Sequence, residues 1–374
     1  MANEISVTFL GTSSAMPSLT RNHSSLAVTI DGVAWLFDCG EGTQHQIMRC
    51  GALRLSRIQR IFCTHLHGDH VLGLPGLMCT MGSGAPPDRP VLHLYGPPGL
   101  RAFIRSVLNI TQARLGYQFA VHELHAAGVV DGSDCTSVRH ADEAPGQDIV
   151  MESGVWRVCH SDGVSVTAAP LQHRIESVGF VLTEDDTPGR VMIEKIEPIL
   201  KAHAPGLCQA YGVRTPMALL PSLKSGQSID LPDGTVLRPE DFLHPKRPGR
   251  RLAILGDTCE SSAIAPLAMG ADLLIHEATN AFLQSDSGVT TAAVVEEQCV
   301  SHGHSTPQMA GAFATSISAG ALVLNHFSSR YKGDDAPDSL AVMDEIRALA
   351  AGAFPSGKVV CARDFMSIPV PKRQ

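Results

Sequence analysis

The chain has 374 residues, with 29 Lys+Arg against 37 Asp+Glu and a formal net charge of −8. Its 44% hydrophobic and 18% charged residues exclude a largely disordered chain, and the length fits two domains or one large α/β domain with insertions. An acidic balance with 4 Tyr and 2 Trp argues against a base-stacking or simple polyanion-binding protein, whereas 17 His stand out. There is no apolar run of the roughly 18 residues a membrane span needs. Met1-Ala2-Asn3-Glu4 has neither the basic nor the apolar region of a secretion signal, and the 10 Cys form no CxxC pair. These features predict reduced thiols and a cytoplasmic protein, with nuclear residence also compatible.

Ile5 to Leu10 reads as a strand that stops at Gly11. Leu26–Ile30 and Val33–Phe37 flank Asp31-Gly32, a hairpin signal. Glu41–Gly51 reads as a helix, and Ile61-Phe62-Cys63 as a buried strand running into Thr64-His65-Leu66-His67-Gly68-Asp69-His70. Val71–Met81 follows as a helix, Val91–Tyr95 as a strand, and Pro97-Pro98 opens a helix to about Leu108. Residues 127–154, with Asp131, Asp134, Asp142, Glu143, Asp148 and Glu152, read as an acidic surface insertion. Val164–Ala169 and Val178–Thr183 read as strands on either side of His173. Residues 184–225 carry five Pro, scattered Lys and Arg and weak periodicity, and read as an excursion from the main fold. Asp233-Gly234 marks a second hairpin. Arg251–Leu255 and Asp272–Ile275 read as buried strands, Ser305–Ile317 as a capped helix, and Leu322–Leu324 as a strand delivering His326. Hairpins followed by strand–helix alternation, with polar residues just past strand ends, predict a layered α/β sandwich with one site at the strand termini.

The run His65-Leu66-His67-Gly68-Asp69-His70 places four ligand-type side chains within six residues. On extended backbone His65 and His67 share a side, and Gly68 lets the chain turn so that Asp69 and His70 face a second position. One ion would struggle to use all four; two adjacent ions can use two each, and zinc suits an imidazole and carboxylate mixture. Further donors stand at strand ends: His173, Asp257 and His326. A carboxylate can bridge two ions, which suits Asp257, although a turn Asp after Gly256 explains that residue equally well locally.

With those residues in place, the chain resembles the metallo-β-lactamase superfamily, and within it the short form of tRNase Z. The finer signatures are Phe9-Leu10-Gly11-Thr12-Ser13, Phe37-Asp38-Cys39-Gly40-Glu41-Gly42-Thr43-Gln44, His276-Glu277-Ala278-Thr279, His302-Gly303-His304-Ser305-Thr306 and His326-Phe327-Ser328-Ser329-Arg330-Tyr331. The resemblance implies a four-layer αβ/βα sandwich holding two Zn²⁺, with Mn²⁺ or Mg²⁺ as possible substitutes. It assigns His65, His67 and His173 to one ion, Asp69, His70 and His326 to the other, and Asp257 to both. It implies that Asp69 positions or deprotonates the attacking water and that His304, oriented by Glu277, is the general acid. Ser305 or Thr306 also caps a helix there, and a helix cap fixes the preceding His without excluding this role. For His302 a structural role is the better reading.

The same resemblance makes the 184–225 excursion the flexible arm that grips precursor tRNA, within a single domain of residues 1–374. Lys195, Lys201, Arg214 and Lys224 can contact phosphates there, or be no more than solvated charges. The arm departs from the family pattern: Gly212-Val213-Arg214-Thr215-Pro216 lacks the usual Gly-Pro pair. Arg330 reads equally as a phosphate contact and as a surface salt bridge. The basic run Lys246-Arg247-Pro248-Gly249-Arg250-Arg251 can face RNA. The 127–154 insertion suggests a eukaryotic-type short form and, being acidic, lies away from the RNA path. A homodimer is implied. The expected function is removal of the 3′ trailer from precursor tRNA near the discriminator base, leaving a 3′-hydroxyl. The competing reading is a small-ester or phosphodiester hydrolase on the same two-metal fold, which would need no long arm. A non-catalytic RNA-binding protein would not be expected to keep seven intact ligands.

Overall fold

Alternation within short strands decides the architecture. In the computed structural model, which describes residues 4–83, 86, 88–128 and 138–373, neighbouring residues such as Leu36/Phe37, Ile61/Phe62 and Leu274/Ile275 are all buried. Successive side chains of a strand leave opposite faces of its sheet, so both faces of these sheets are covered. Phe37, Phe62, Phe180, Ile254, Ile275 and Val323 belong to one cluster between two sheets. There Phe62 stacks on Phe37 at 4.8 Å and meets Phe180 of the other sheet edge-on at 5.4 Å. Leu36, Ile61 and Leu94 instead pack under the helices Thr43–Cys50, Leu74–Gly82 and Leu100–Ile110. Ala253, Leu274 and Leu322 pack under Pro307–Ser316 and Pro337–Ala353. The layers are helix, sheet, sheet, helix, the αβ/βα sandwich expected.

The first sheet has eight strands, in the order Ser367–Pro369, Ile5–Gly11, Ser25–Ile30, Val33–Phe37, Ile58–Phe62, Leu92–Gly96, Phe119–His125 and Asp148–Val150. Pairing turns from antiparallel to parallel between Val33–Phe37 and Ile58–Phe62. The second sheet has seven strands, and Arg251–Leu255, Leu273–Glu277, Ala321–Asn325 and Lys358–Cys361 run parallel in it. Parallel strands share a carboxyl edge, and that edge is where open α/β sheets collect ligands.

The first hairpin forms as read, with Asp31 and Gly32 both at positive φ (47° and 82°), the geometry a tight two-residue turn requires. The single helix expected over Val71–Met81 is instead two, Gly68–Val71 and Leu74–Gly82, with Leu72 and Gly73 between them. The acidic insertion is no loose coat where it is described. Glu143 is buried and takes two hydrogen bonds from Arg105 (2.7 and 3.0 Å), and Asp148 opens an edge strand and accepts from Arg101 at 2.6 Å. Asp142 accepts the Leu115 amide at 2.9 Å. Asp131 and Asp134 lie outside the described residues.

By its internal contacts the chain divides into two compact units. One is Glu184–Gly249 with the C-terminal Lys372 and Arg373, and the other is the sandwich. The first unit therefore runs on past residue 225 through the Asp233-Gly234 hairpin, where Ile229 pairs with Leu237. The weakly periodic stretch forms helices Ile193–Ala202 and Ala204–Tyr211, the first carrying Pro198 inside it. Ile196, Leu200, Leu207, Leu219, Leu223 and Ile229 make a separate apolar core for this unit.

Candidate metal centre

Four parallel strands end on polar residues that converge. After Ile58–Phe62 the chain runs on through His65 to His67, whose backbone is extended (φ −65°, ψ 152°) and which precedes the short helix Gly68–Val71, whose first turn presents Asp69 and His70. Asp257 follows Arg251–Leu255, Thr279 follows Leu273–Glu277, and His326 follows Ala321–Asn325. Gly256 allows the second of these approaches, since a Cβ there would lie 2.6 Å from Thr64 Cβ. Asp38 and His326 both hold left-handed backbone (φ 58° and 57°), a conformation costing non-glycine residues on the order of 1–2 kcal/mol. Both are buried and both serve this site.

The donor atoms fall into two groups. His65 Nε2 lies 3.1 Å from His67 Nδ1, and His67 Nδ1 lies 3.2 Å from His173 Nε2. Asp257 Oδ2 is 3.6 Å from His65 Nε2 and 4.0 Å from His173 Nε2. In the second group His70 Nε2 and His326 Nε2 are 3.1 Å apart, and Asp69 Oδ2 is 3.5 and 3.3 Å from them. Asp257 Oδ1 faces this group, 3.5 Å from His70 and 3.3 Å from His326. The two oxygens of one carboxylate thus address two donor sets. A tetrahedral ion with bonds of about 2.0–2.1 Å holds its ligand atoms roughly 3.3 Å apart, which matches most of these separations.

The outward ring nitrogens of four of the five imidazoles each meet an oxygen, which places a proton there and a lone pair on the facing atom. His173 Nδ1–H donates to Gly303 O (2.6 Å), and His70 Nδ1–H donates to Asp38 Oδ2 (2.7 Å). His65 Nδ1 meets Thr64 Oγ1 at 3.0 Å, and His326 Nδ1 meets Thr279 Oγ1 at 3.1 Å. A neutral imidazole with its proton fixed on one nitrogen has only a lone pair on the other. Lone pairs converging at about 3 Å in a buried cluster need a cation between them. The seven side chains therefore fit a metal-binding site.

Burial and the site's carboxylates pull the imidazoles in different directions: burial lowers His70, but Asp257 and Asp38 raise it well above the usual histidine range. Burial, with His70 and the other imidazoles adding to it, holds His65 well below the usual histidine range, and burial lowers His67 and His173 too. Burial works against ionisation of Asp257, yet His326, His70 and His65 hold it well below the usual carboxylate range. Asp69 is likewise kept ionised against burial by His326 and His70, and the Ala15 amide donates to its Oδ2 at 2.7 Å. His304 goes the other way. Burial lowers it, but Glu277 and then Asp257 raise it to about 9. Its Nδ1–H donates to Glu277 Oε1 at 3.1 Å, and Glu277 also accepts from the Thr258 amide (2.7 Å) and the Thr279 hydroxyl.

Asp69, Asp257, His304 and His326 line one cavity of about 330 Å³, together with His23 and Arg174. Of the other residues singled out, Arg330 is engaged elsewhere. It makes an ion pair with Asp286 (2.7 Å) and donates to Ala281 O, as the surface salt-bridge reading has it. His302 is exposed and bonds Gln298 O behind it, a helix-end role. Lys201 pairs with Glu197 one turn away (2.7 Å). Lys195, Arg214 and Lys224 are exposed on the arm unit. Three contributors were not assigned from sequence: Asp38, Thr279 and Arg174. The first two stand inside the quoted signatures, so their proximity to ligands was available; nothing local marked Arg174.

A family model described as "Anti-Pycsar protein Apyc1" matches residues 5–102, about a quarter of the chain. "Zinc phosphodiesterase ELAC protein 1" of Bos taurus is 38% identical over 98% of both chains. "Ribonuclease Z" of Synechococcus sp. (strain CC9311) is 35% identical over 97% of this chain and 98% of its own. The crystal structure of human tRNase Z, short form, superposes with a TM-score of 0.62 at 31% identity, covering 98% of this chain and 99% of that one. The chain belongs to the ribonuclease Z family. That makes it a hydrolase of the metallo-β-lactamase fold, and the Bacillus subtilis protein YhfI of that fold also superposes, with a TM-score of 0.56 at 15% identity. Among the described residues no helix is long and apolar enough to cross a membrane.

Proposed function

We propose that this chain is a zinc-dependent endoribonuclease that removes the 3′ trailer of precursor tRNA, cutting near the discriminator base. The single observation that carries the site chemistry is Asp257, whose two oxygens face two separate donor sets, each otherwise complete in side chains. His65, His67 and His173 would hold one Zn²⁺, Asp69, His70 and His326 the other, and Asp257 both. Two such ions supply a nucleophile at neutral pH and a clamp on the phosphate oxygens.

The chain's own residues supply the rest. Asp69, ionised and anchored by the Ala15 amide, orients the attacking water. Water adds to phosphorus and gives up a proton to Asp69, and the bond to the 3′-oxygen of the tRNA breaks. His304, protonated at neutral pH because Glu277 faces it, gives its proton to that leaving oxygen. The products are a 3′-hydroxyl on the tRNA and a 5′-phosphate on the trailer. Glu277, itself fixed by Thr258 and Thr279, keeps the imidazole oriented.

The arm unit supports an RNA substrate over a small ester. A cleft of about 640 Å³ within that unit is lined by Arg190, Lys224, Arg247, Lys372 and Arg373, with no acidic residue among its lining. Five cations around one cleft suit a phosphate backbone, and a small-ester hydrolase has no use for them. Of the four arm residues expected to contact phosphate, Lys224 is in this cleft, and the unit is the place for an exosite. A homodimer, cytoplasmic with or without nuclear residence, completes the reading. Incubation with a 3′-extended precursor tests it: the zinc-loaded protein cuts once at the trailer junction, and absence of any cut would reject the RNA substrate.

A further inference from the structure

We infer that Arg174 is a clamp for a non-bridging oxygen of the scissile phosphate. The inference rests on the phosphodiesterase reading above and goes beyond it by naming a contact outside the ligand set, the water-orienting Asp69 and the general acid.

The first support is place. Arg174 lines the same cavity as Asp69, Asp257, His304 and His326, and its side chain is exposed there. The second is a backbone locked from three sides. The Gln172 amide donates to Glu260 O (3.2 Å) and its carbonyl accepts from the Cys259 amide (2.9 Å), His173 donates to Gly303 O (2.6 Å), and Ser177 donates to Asp257 O (2.9 Å). Gly303 packs so closely that a Cβ on it would lie 2.6 Å from His173 Nδ1 and 3.1 Å from the Arg174 amide. A long side chain on a fixed root loses less freedom when it binds than one on a mobile loop. Third, among the described residues nothing engages this guanidinium in an ion pair or hydrogen bond, and the cavity's two carboxylates, Asp69 and Asp257, face the two donor sets instead. Arg330, the arginine the sequence offered for this job, is held by Asp286.

The chemistry asks for such a group. Charge on the non-bridging oxygens grows as water adds to phosphorus. A guanidinium offers two parallel donors to two such oxygens, and a lysine offers only a point charge.

The test compares R174A, R174K and a distant surface control, R157A, on a 3′-trailer precursor and on bis(p-nitrophenyl) phosphate. Zinc content and inhibition by uridine 5′-monophosphate, which mimics the trailer's product phosphate, are measured alongside. R174A is expected to lower turnover of both substrates by about 10²- to 10³-fold with zinc content unchanged. It should weaken the nucleotide's inhibition about tenfold or more, while R174K recovers part of each loss and R157A changes neither. Loss on the precursor alone would place the contact on a flanking phosphate and overturn the assignment. So would loss of zinc, which would mean that Arg174 only positions His173, or unchanged inhibition by the nucleotide. If the wild type hydrolyses the diester but not the precursor, the tRNA reading fails while the diester and inhibition data still score Arg174.

Discussion

The metal centre and the arm unit are built in opposite ways. In the metal centre four of the five donor imidazoles are each held by a second partner. Asp38 holds His70, Thr64 meets His65, Gly303 holds His173, and Thr279 meets His326 while donating to Glu277. In the arm unit the cations sit around an open cleft on a small separate core, and individual pairs such as Lys201–Glu197 are exposed. A site built from buried, mutually dependent groups fails when one is removed, whereas a charged surface degrades by small steps.

The largest effect is expected at Asp257. D257A should lose zinc and activity together, because one carboxylate serves both donor sets; zinc measured by elemental analysis beside turnover checks it. Full zinc with low activity would mean that the two sets are independent. H304A comes next. It should keep zinc and lose about 10²- to 10⁴-fold in turnover. Its pH behaviour sharpens the point. A raised histidine is charged below its shifted value and loses its proton as pH climbs through it, so activity dependent on His304 falls on the alkaline side. E277Q removes the main partner that raises it and should move that fall to lower pH, which a kcat–pH profile would reveal. D38N, one shell out, should weaken zinc affinity by about 10- to 100-fold, measured by competition with a chelator. On the arm, combined R190A, K224A and R247A should weaken precursor binding and flatten its salt dependence, by up to about 0.9 in log–log slope for each phosphate no longer neutralised. K201A alone should change little.

This contrast also explains what could be read in advance. That these seven donors would come together was legible because metal-ligand chemistry demands particular residue types, and those types stand at strand ends in a few short segments. The strands were legible from their apolar runs and the first hairpin from Asp31-Gly32. The break at Leu72-Gly73 was not, because the apolar run continues across it. Nor were the structural roles of Glu143 and Asp148, whose partners Arg105 and Arg101 lie 38 and 47 residues away in sequence. The arm looked unstructured because Pro188, Pro198, Pro205, Pro216 and Pro221 interrupt its periodicity, yet Pro205, Pro216 and Pro221 sit in the first turns of short helices, where the missing amide costs nothing. The −8 balance, which first argued against a polyanion ligand, averages an acidic insertion with a cation-lined cleft, and two Zn²⁺ would bring it to −8 + 4 = −4. Of the 17 His, the proposed function gives six work at the centre: five as donors and His304 as the acid.

The most direct test is cleavage of a precursor tRNA with a defined 3′ trailer by the zinc-loaded protein, with both new ends mapped. A single cut beside the discriminator base is predicted, leaving a 3′-hydroxyl on the tRNA and a 5′-phosphate on the trailer, and absent from D257A. No cut, or a cut leaving phosphate on the tRNA, would contradict it.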